Sequence, residues 1–266
     1  MSPKPKPFAE LQQSFKELAL KSVDDQQELF LKSFIFALGE NWKKVNELNA
    51  AFKKYVKDGG EDLPDLNPVQ AADFLQKNGV ERTSIQRKQE IADIDLDKNQ
   101  RIAFIEYLLL HYKALILEEY YKRTEEKCTF DLSRGAVGIT GVGHQLLDEL
   151  YTIPTGLDPE LERAIEELTA VKKKRENAMK ELGDAAKKGG VKGGIAAAQL
   201  AQMQQDNLDE QNKVEAKINS AMRKGGQQSG EQALKKKQEA EKKAAEAKAK
   251  QSRDALKNRI ANMNLQ

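Results

Sequence analysis

The chain has 266 residues, of which 39% are hydrophobic, 6% aromatic and 32% charged, against a typical ~25% charged, and Gly and Pro are sparse. That composition excludes collagen-like, disulfide-stapled and β-sandwich proteins and points to an all-α chain with long solvated helices. The net charge of +2 hides an asymmetry: residues 1–157 carry −4 and residues 158–266 carry +6.

Residues 1–7 read as a disordered lead. From Phe8 to Lys57 the pattern is helical, with Phe30, Phe34 and Leu38 at four-residue spacing and Trp42, Val45, Leu48 and Phe52 as a buried stripe. Gly39 is expected to divide two helices. Lys57 to Leu66 is a Gly/Asp/Pro loop. Asn67, Pro68 and Gln70 together make a capped helix start, and Gly79 ends that helix. Thr83 with Gln86 starts the next one, which runs to about Ile94. An acidic loop follows, then a helix from about Phe104 to Glu126. Residues 8–126 therefore read as one helical domain.

Residues 127–157 read as a Gly-containing linker, with a short helix at 144–151. Asp158-Pro159-Glu160 is a strong helix start, with a side-chain cap, a Pro and acids at the positive end of the dipole. Leu157, Leu161, Ile165, Leu168, Met179 and Leu182 form one apolar stripe, and Leu200, Met203, Leu208, Val214, Ile218 and Met222 a second. KKGGVKGG (187–194) breaks the two, so 158–224 reads as an antiparallel helical hairpin or coiled coil. A helix of ~25 residues is ~37 Å long, so this half is elongated. The Lys/Ala/Glu tail, 225–266, has Leu234, Leu256 and Ile260 far apart. It is expected to be a marginal helix until it meets a partner.

The sequence DLDKNQRIAFIE (95–106) has the spacing of an EF-hand calcium loop, which takes side-chain oxygens at positions 1, 3 and 5, a carbonyl at 7 and a bidentate carboxylate at 12. These are Asp95, Asp97, Asn99, Arg101 through its carbonyl, and Glu106, with Ala103 at the water-bridged position 9. Ile102 is the apolar position 8. A register starting at Asp93 would put Phe104 at position 12, so Glu106 and Ile102 fix the frame. Gln100 stands at position 6, where Gly normally takes a left-handed turn, at a cost on the order of 1 kcal/mol. The expected sister loop is KDGGEDLPDLNPVQ (57–70). Asp58, Asp62 and Asp65 are acidic there, but no register ends in a carboxylate behind an apolar position 8. It reads as a degenerate loop that supports structure.

Other signals exclude more than they assign. Cys128 is the single cysteine, so an internal disulfide is impossible and a reducing compartment fits. With only His111 and His144 beside it, a four-ligand zinc site is not expected. The longest apolar runs fall far short of the ~18 residues of a membrane span, and Met1 to Phe8 leads into no signal-peptide core. GITGVG (138–143) lacks the Lys-Ser/Thr of a phosphate-binding loop and reads as linker. No nucleophile–base or catalytic-metal constellation is visible, so the chain is not expected to be an enzyme. The tail from Glu231 to Gln266 carries ten Lys/Arg and five Asp/Glu, and includes an LKKK string (234–237). A basic end suits an acidic partner, or is simply a helix kept soluble by charge.

SIQRKQEIADIDLDKNQRIAFIEYLLLHYK (84–113) resembles the EF-hand segment of the calcium-regulated actin-bundling proteins, the F-actin cross-linkers of amoeboid cells. The shared features are RKQE (87–90) and IEYLL (105–109). DPELERAIEELTAVKKKRENAMKEL and GVKGGIAAAQLAQM resemble that family's C-terminal helical region, most of all in the GVKG turn (190–193). The resemblance implies a cytoplasmic protein of the actin cytoskeleton and cell cortex whose bundling calcium weakens. It implies an intramolecular contact between the N- and C-terminal halves that restrains filament-binding surfaces. Carried over by position, Asp95, Asp97, Asn99, Arg101 and Glu106 would hold Ca2+. Region 158–222 would meet F-actin, with Lys172, Lys173, Lys174 and Arg175 as the main contact and Lys187, Lys188 and Lys192 beside them. Neither nucleic acid nor membrane is expected as partner. The alternative is a calcium sensor or adaptor that binds microtubules or anionic membrane through its basic tail.

Overall fold

The periodicity read along Phe8–Lys57 forms three helices in the computed structural model: α1 (Phe8–Ala19), α2 (Val23–Leu38) and α3 (Trp42–Asp58). The structure describes residues 8–60, 63–124, 128, 137–152, 157–205 and 209–224. A break at Gly39 matches the expectation, but the break between α1 and α2 was not expected. Its cause is local. Ser22 Oγ caps α2 by accepting from the Asp25 N–H at 3.3 Å. The buried Gln26 donates through Nε2 to the carbonyls of Ala19 and Lys21 at 3.0 and 2.8 Å.

Both expected capping boxes form. Asn67 with Gln70 starts α4 (Pro68–Asn78), and Thr83 with Gln86 starts α5 (Ser84–Ile94). Two short strands, β1 (Asp65–Leu66) and β2 (Ile102–Ala103), pair antiparallel with Asp65 opposite Ala103 and Leu66 opposite Ile102. The aromatic core lies between α3, α4 and the next helix, α6 (Phe104–His111). The ring of Phe52 is 5.2 Å from Phe74 and 5.0 Å from Phe104, and Phe74 is 4.8 Å from Tyr107. Such pairs contribute roughly 0.5–1.5 kcal/mol each beyond area burial.

The single helix expected over 104–126 is divided at Tyr112 into α6 and α7 (Lys113–Thr124). Every residue from Phe104 to Leu110 is buried, whereas Glu118 and Glu119 of α7 face water. An all-apolar helix must be covered on all sides and an amphipathic one on a single side, and Tyr112, with φ −105° and ψ 11°, marks where one gives way to the other. The short helix expected at 144–151 within the stretch read as a linker forms as α8 (Gly143–Thr152), but its Leu146, Leu147 and Leu150 are fully buried, so this part is core. The helix packs on α1, α2 and α7, and Ser33 Oγ donates to the Leu150 carbonyl at 2.7 Å. The segment contributes to the core because its leucines recur on one helical face.

The hairpin is formed by α9 (Pro159–Lys187) and α10 (Gly190–Gln205). Its break is narrower than expected, only Lys188 and Gly189. Gly193 allows the close approach: a Cβ there would lie 3.0 Å from the Ala186 carbonyl oxygen. The start of α9 buries Leu161, Ala164, Ile165 and Leu168, and α9 packs on α2. Residues 209–224 are also helical, and Val214 and Ile218 are buried. The chain divides into two units, 1–218 and 219–266. All that follows concerns the first. The tail read over 225–266 lies outside the described residues, as does the lead 1–7. No helix among the described residues is long and apolar enough to cross a membrane.

Candidate functional site

The acidic loop between α5 and α6 gathers its carboxylates. One oxygen each from Asp95, Asp97 and Glu106 lies within 4.8 Å of the others, and all three residues are buried. Local hydrogen bonds build the loop. Asp95 Oδ1 and Asp97 Oδ1 both accept from the Asn99 N–H at 3.0 Å, and Asp95 Oδ2 accepts from the Gln100 N–H at 3.0 Å. Asn99 Oδ1 accepts from the Arg101 N–H at 2.7 Å. Glu106 reaches back across the loop, accepting from Leu96 N–H at 2.7 Å and from Ala103 N–H at 2.9 Å. Gln100 takes a left-handed conformation, with φ 62°, and so does Lys98.

Burial pushes the Glu106 carboxyl well above its ordinary range, and the charges of Asp97 and Asp95 add to the push. Burial likewise pushes Asp97 up to about 6, with Asp95 contributing. Three carboxylates buried this close to one another, two of them held toward the protonated form, are a poor arrangement for the protein alone. An all-oxygen set of this kind suits a hard divalent cation. Asp95, Asp97 and Glu106 would supply its charged oxygens, with Asn99 and the Arg101 carbonyl completing the set.

Contacts that spacing alone did not reveal hold this loop. Arg101, read as a carbonyl donor only, also uses its side chain: Nε donates to Asp65 Oδ1 at 2.5 Å, across the β1–β2 pair. Asp65, in the stretch read as a degenerate sister loop, is a buried structural acceptor; Asp58 is exposed, and Asp62 lies outside the described residues. Gln26 Oε1 accepts from the Ile105 N–H at 2.9 Å, tying α2 to the start of α6. The glycine-rich stretch also docks here. Lys113 Nζ donates to the Gly138 carbonyl at 2.7 Å, and a Cβ at Gly138, whose φ is +65°, would collide with the Asp93 carboxylate. Within RKQE, Arg87 pairs with Glu90 in a buried ion pair and donates to the Leu75 and Val80 carbonyls. These two residues fasten α5 to α4.

The basic candidates of the hairpin divide by direction. Consecutive helical residues turn ~100° from each other, so Lys172 to Arg175 cannot all share one face. Lys172 points at α2 and α3, donating to Gln27 Oε1 at 3.1 Å and Asn46 Oδ1 at 2.7 Å. Burial pushes its ammonium down to about 8, against an attraction from Asp24. Lys173 pairs with Asp25 of α2 at 2.6 Å. Arg175 donates to the Met203 carbonyl of α10 at 2.9 Å. Lys174, Lys187, Lys188 and Lys192 are exposed. The same seam holds Lys53 of α3 between Asp24 at 2.5 Å and Glu176 at 2.7 Å. Lys32 of α2 reaches Glu166 at 2.7 Å.

The family described as F actin bundling C terminal matches residues 114–255, just over half of the 266-residue chain. The crystal structure of the 34 kDa F-actin bundling protein from Dictyostelium discoideum is similar with a TM-score of 0.43 and 18% identity, over 86% of this chain and 92% of that one. Among curated proteins none matches.

Proposed function

This chain belongs to the F-actin bundling C-terminal family, and from that premise we propose that it cross-links actin filaments into bundles without catalysing a reaction, and that Ca2+ in the 95–106 loop lowers bundling. The match over 114–255, which takes in α9 and α10, is the observation that carries the filament reading. The carboxylate cluster Asp95, Asp97 and Glu106 supports the calcium reading. A cytoskeletal location, at the cell cortex, follows from this reading.

A physical route joins the two. Calcium bound by Glu106 acts on α6, whose Ile105 N–H is held by Gln26 of α2. The same stretch of α2 carries Asp25 and Gln27, which occupy Lys173 and Lys172 of α9. In this reading calcium favours the closed seam, in which these two lysines are unavailable to a filament. A cation can shift that equilibrium only by its differential affinity for the two states.

Co-sedimentation with F-actin at low and high speed, in EGTA and in calcium, tests both parts. Wild type is expected to pellet with filaments at low speed in EGTA and less in calcium. Glu106→Gln is expected to pellet equally in both. No pelleting at either speed would overturn the filament reading. Equal pelleting of wild type in EGTA and calcium would overturn the calcium reading alone.

A further inference from the structure

The end of the α9–α10 hairpin holds two large apolar side chains in water. Val191 is 83% exposed and Ile195 is 55% exposed. Four residues apart on α10, they lie on one helical face. The hairpin itself is closed by other positions: Gly193 against Ala186, the buried Ala196, and Leu200 over Gly183. The exposed pair is therefore not required to hold α10 on α9.

Charge surrounds the pair. Lys187, Lys188 and Lys192 are exposed, and no acidic residue occurs from Ala185 to Gln205. Asp184, one residue earlier, lies 3.2 Å from Lys187. Glu176 of α9 pairs with Lys53 of α3 at 2.7 Å. Lys187 lies eleven residues further along, roughly 16 Å at 1.5 Å per residue. The tip thus stands clear of the seam that occupies Lys172 and Lys173.

We propose that this tip is a filament contact in its own right, with Val191 and Ile195 as its apolar anchor and Lys187, Lys188 and Lys192 as its charged rim. The inference rests on the bundling reading and names a surface for it. The actin filament is acidic, which matches an acid-free basic knob. A small apolar centre inside a charged rim is the usual layout of an energetic contact. The rim steers and is screened by salt, whereas the anchor acts by burial and is not.

The test uses the full chain in high-speed co-sedimentation with F-actin, in EGTA, at low and moderate salt. The double variant Val191→Ser with Ile195→Ser is expected to bind about ten-fold more weakly at both salt concentrations. The triple variant Lys187→Ala, Lys188→Ala and Lys192→Ala is expected to bind more weakly with a flatter salt dependence. All five positions are exposed, and circular dichroism checks that helix content is kept. If wild type binds and the double variant binds equally well, the tip inference is overturned and the bundling reading stands. If wild type does not bind, both fall. If the double variant loses binding to phosphatidylserine vesicles but keeps filament binding, the tip is a membrane contact and the inference is overturned.

Discussion

Replacing Lys172 with Met asks whether this part of α9 faces water or the protein's own helices. The side chains are similar in length, so packing is largely kept. Burial lowers the Lys172 pKa from 10.5 to about 8, against the attraction of Asp24 and with the nearby charge of Lys53 adding to the fall. A folded lysine with a lowered pKa holds fewer protons than the unfolded one between about 8 and 10.5. Stability must therefore rise with pH across that window. Between pH ~7 and ~9.5, wild type should gain about 2 kcal/mol relative to Lys172→Met, which has no group there to titrate. Neighbouring charges common to both proteins largely cancel in the difference. Urea unfolding of both proteins at the two pH values measures it. Parallel profiles would mean an ordinary ammonium in water, and the closed seam would be wrong as the solution state.

Two further substitutions test the supports of the acidic loop. Arg87→Ala leaves Glu90, 3% exposed, without its closest partner. It should cost about 3 kcal/mol, read as a lowered urea midpoint, and an unchanged midpoint would show that the pair is hydrated in solution. Gly138→Ala combines a left-handed φ of +65° with a collision against Asp93. It should destabilise by at least about 1 kcal/mol and lower hydrogen-exchange protection first in 137–147, whereas unchanged protection would place that stretch away from α5.

What could be read from the sequence was what consecutive residues decide among themselves. Asn67 with Gln70 and Thr83 with Gln86 close their capping boxes inside a single turn, so spacing alone located α4 and α5. The frame of the 95–106 loop is local in the same sense. Asp95, Asp97, Asn99 and Glu106 are brought together by hydrogen bonds spanning at most ten residues, and Gln100 makes a left-handed turn between them. The hairpin was legible because the glycines at its turn separate the apolar positions of α9 from those of α10.

Only the tertiary structure decided which charged side chains are occupied and which Gly-rich segment is core. Lys172 and Lys174 look alike in a basic run, yet one meets Gln27, 145 residues away, and the other meets water. Leu146, Leu147 and Leu150 sit in a stretch whose glycines suggested a linker, and they are buried because α1, α2 and α7 close over them. Gln26, Asp65 and Lys113 hold the acidic loop from outside it, through partners that no local pattern brings near. Local geometry follows from neighbouring residues, whereas exclusion of water depends on surfaces supplied from far along the chain. That exclusion sets which lysines of α9 remain free to meet a partner.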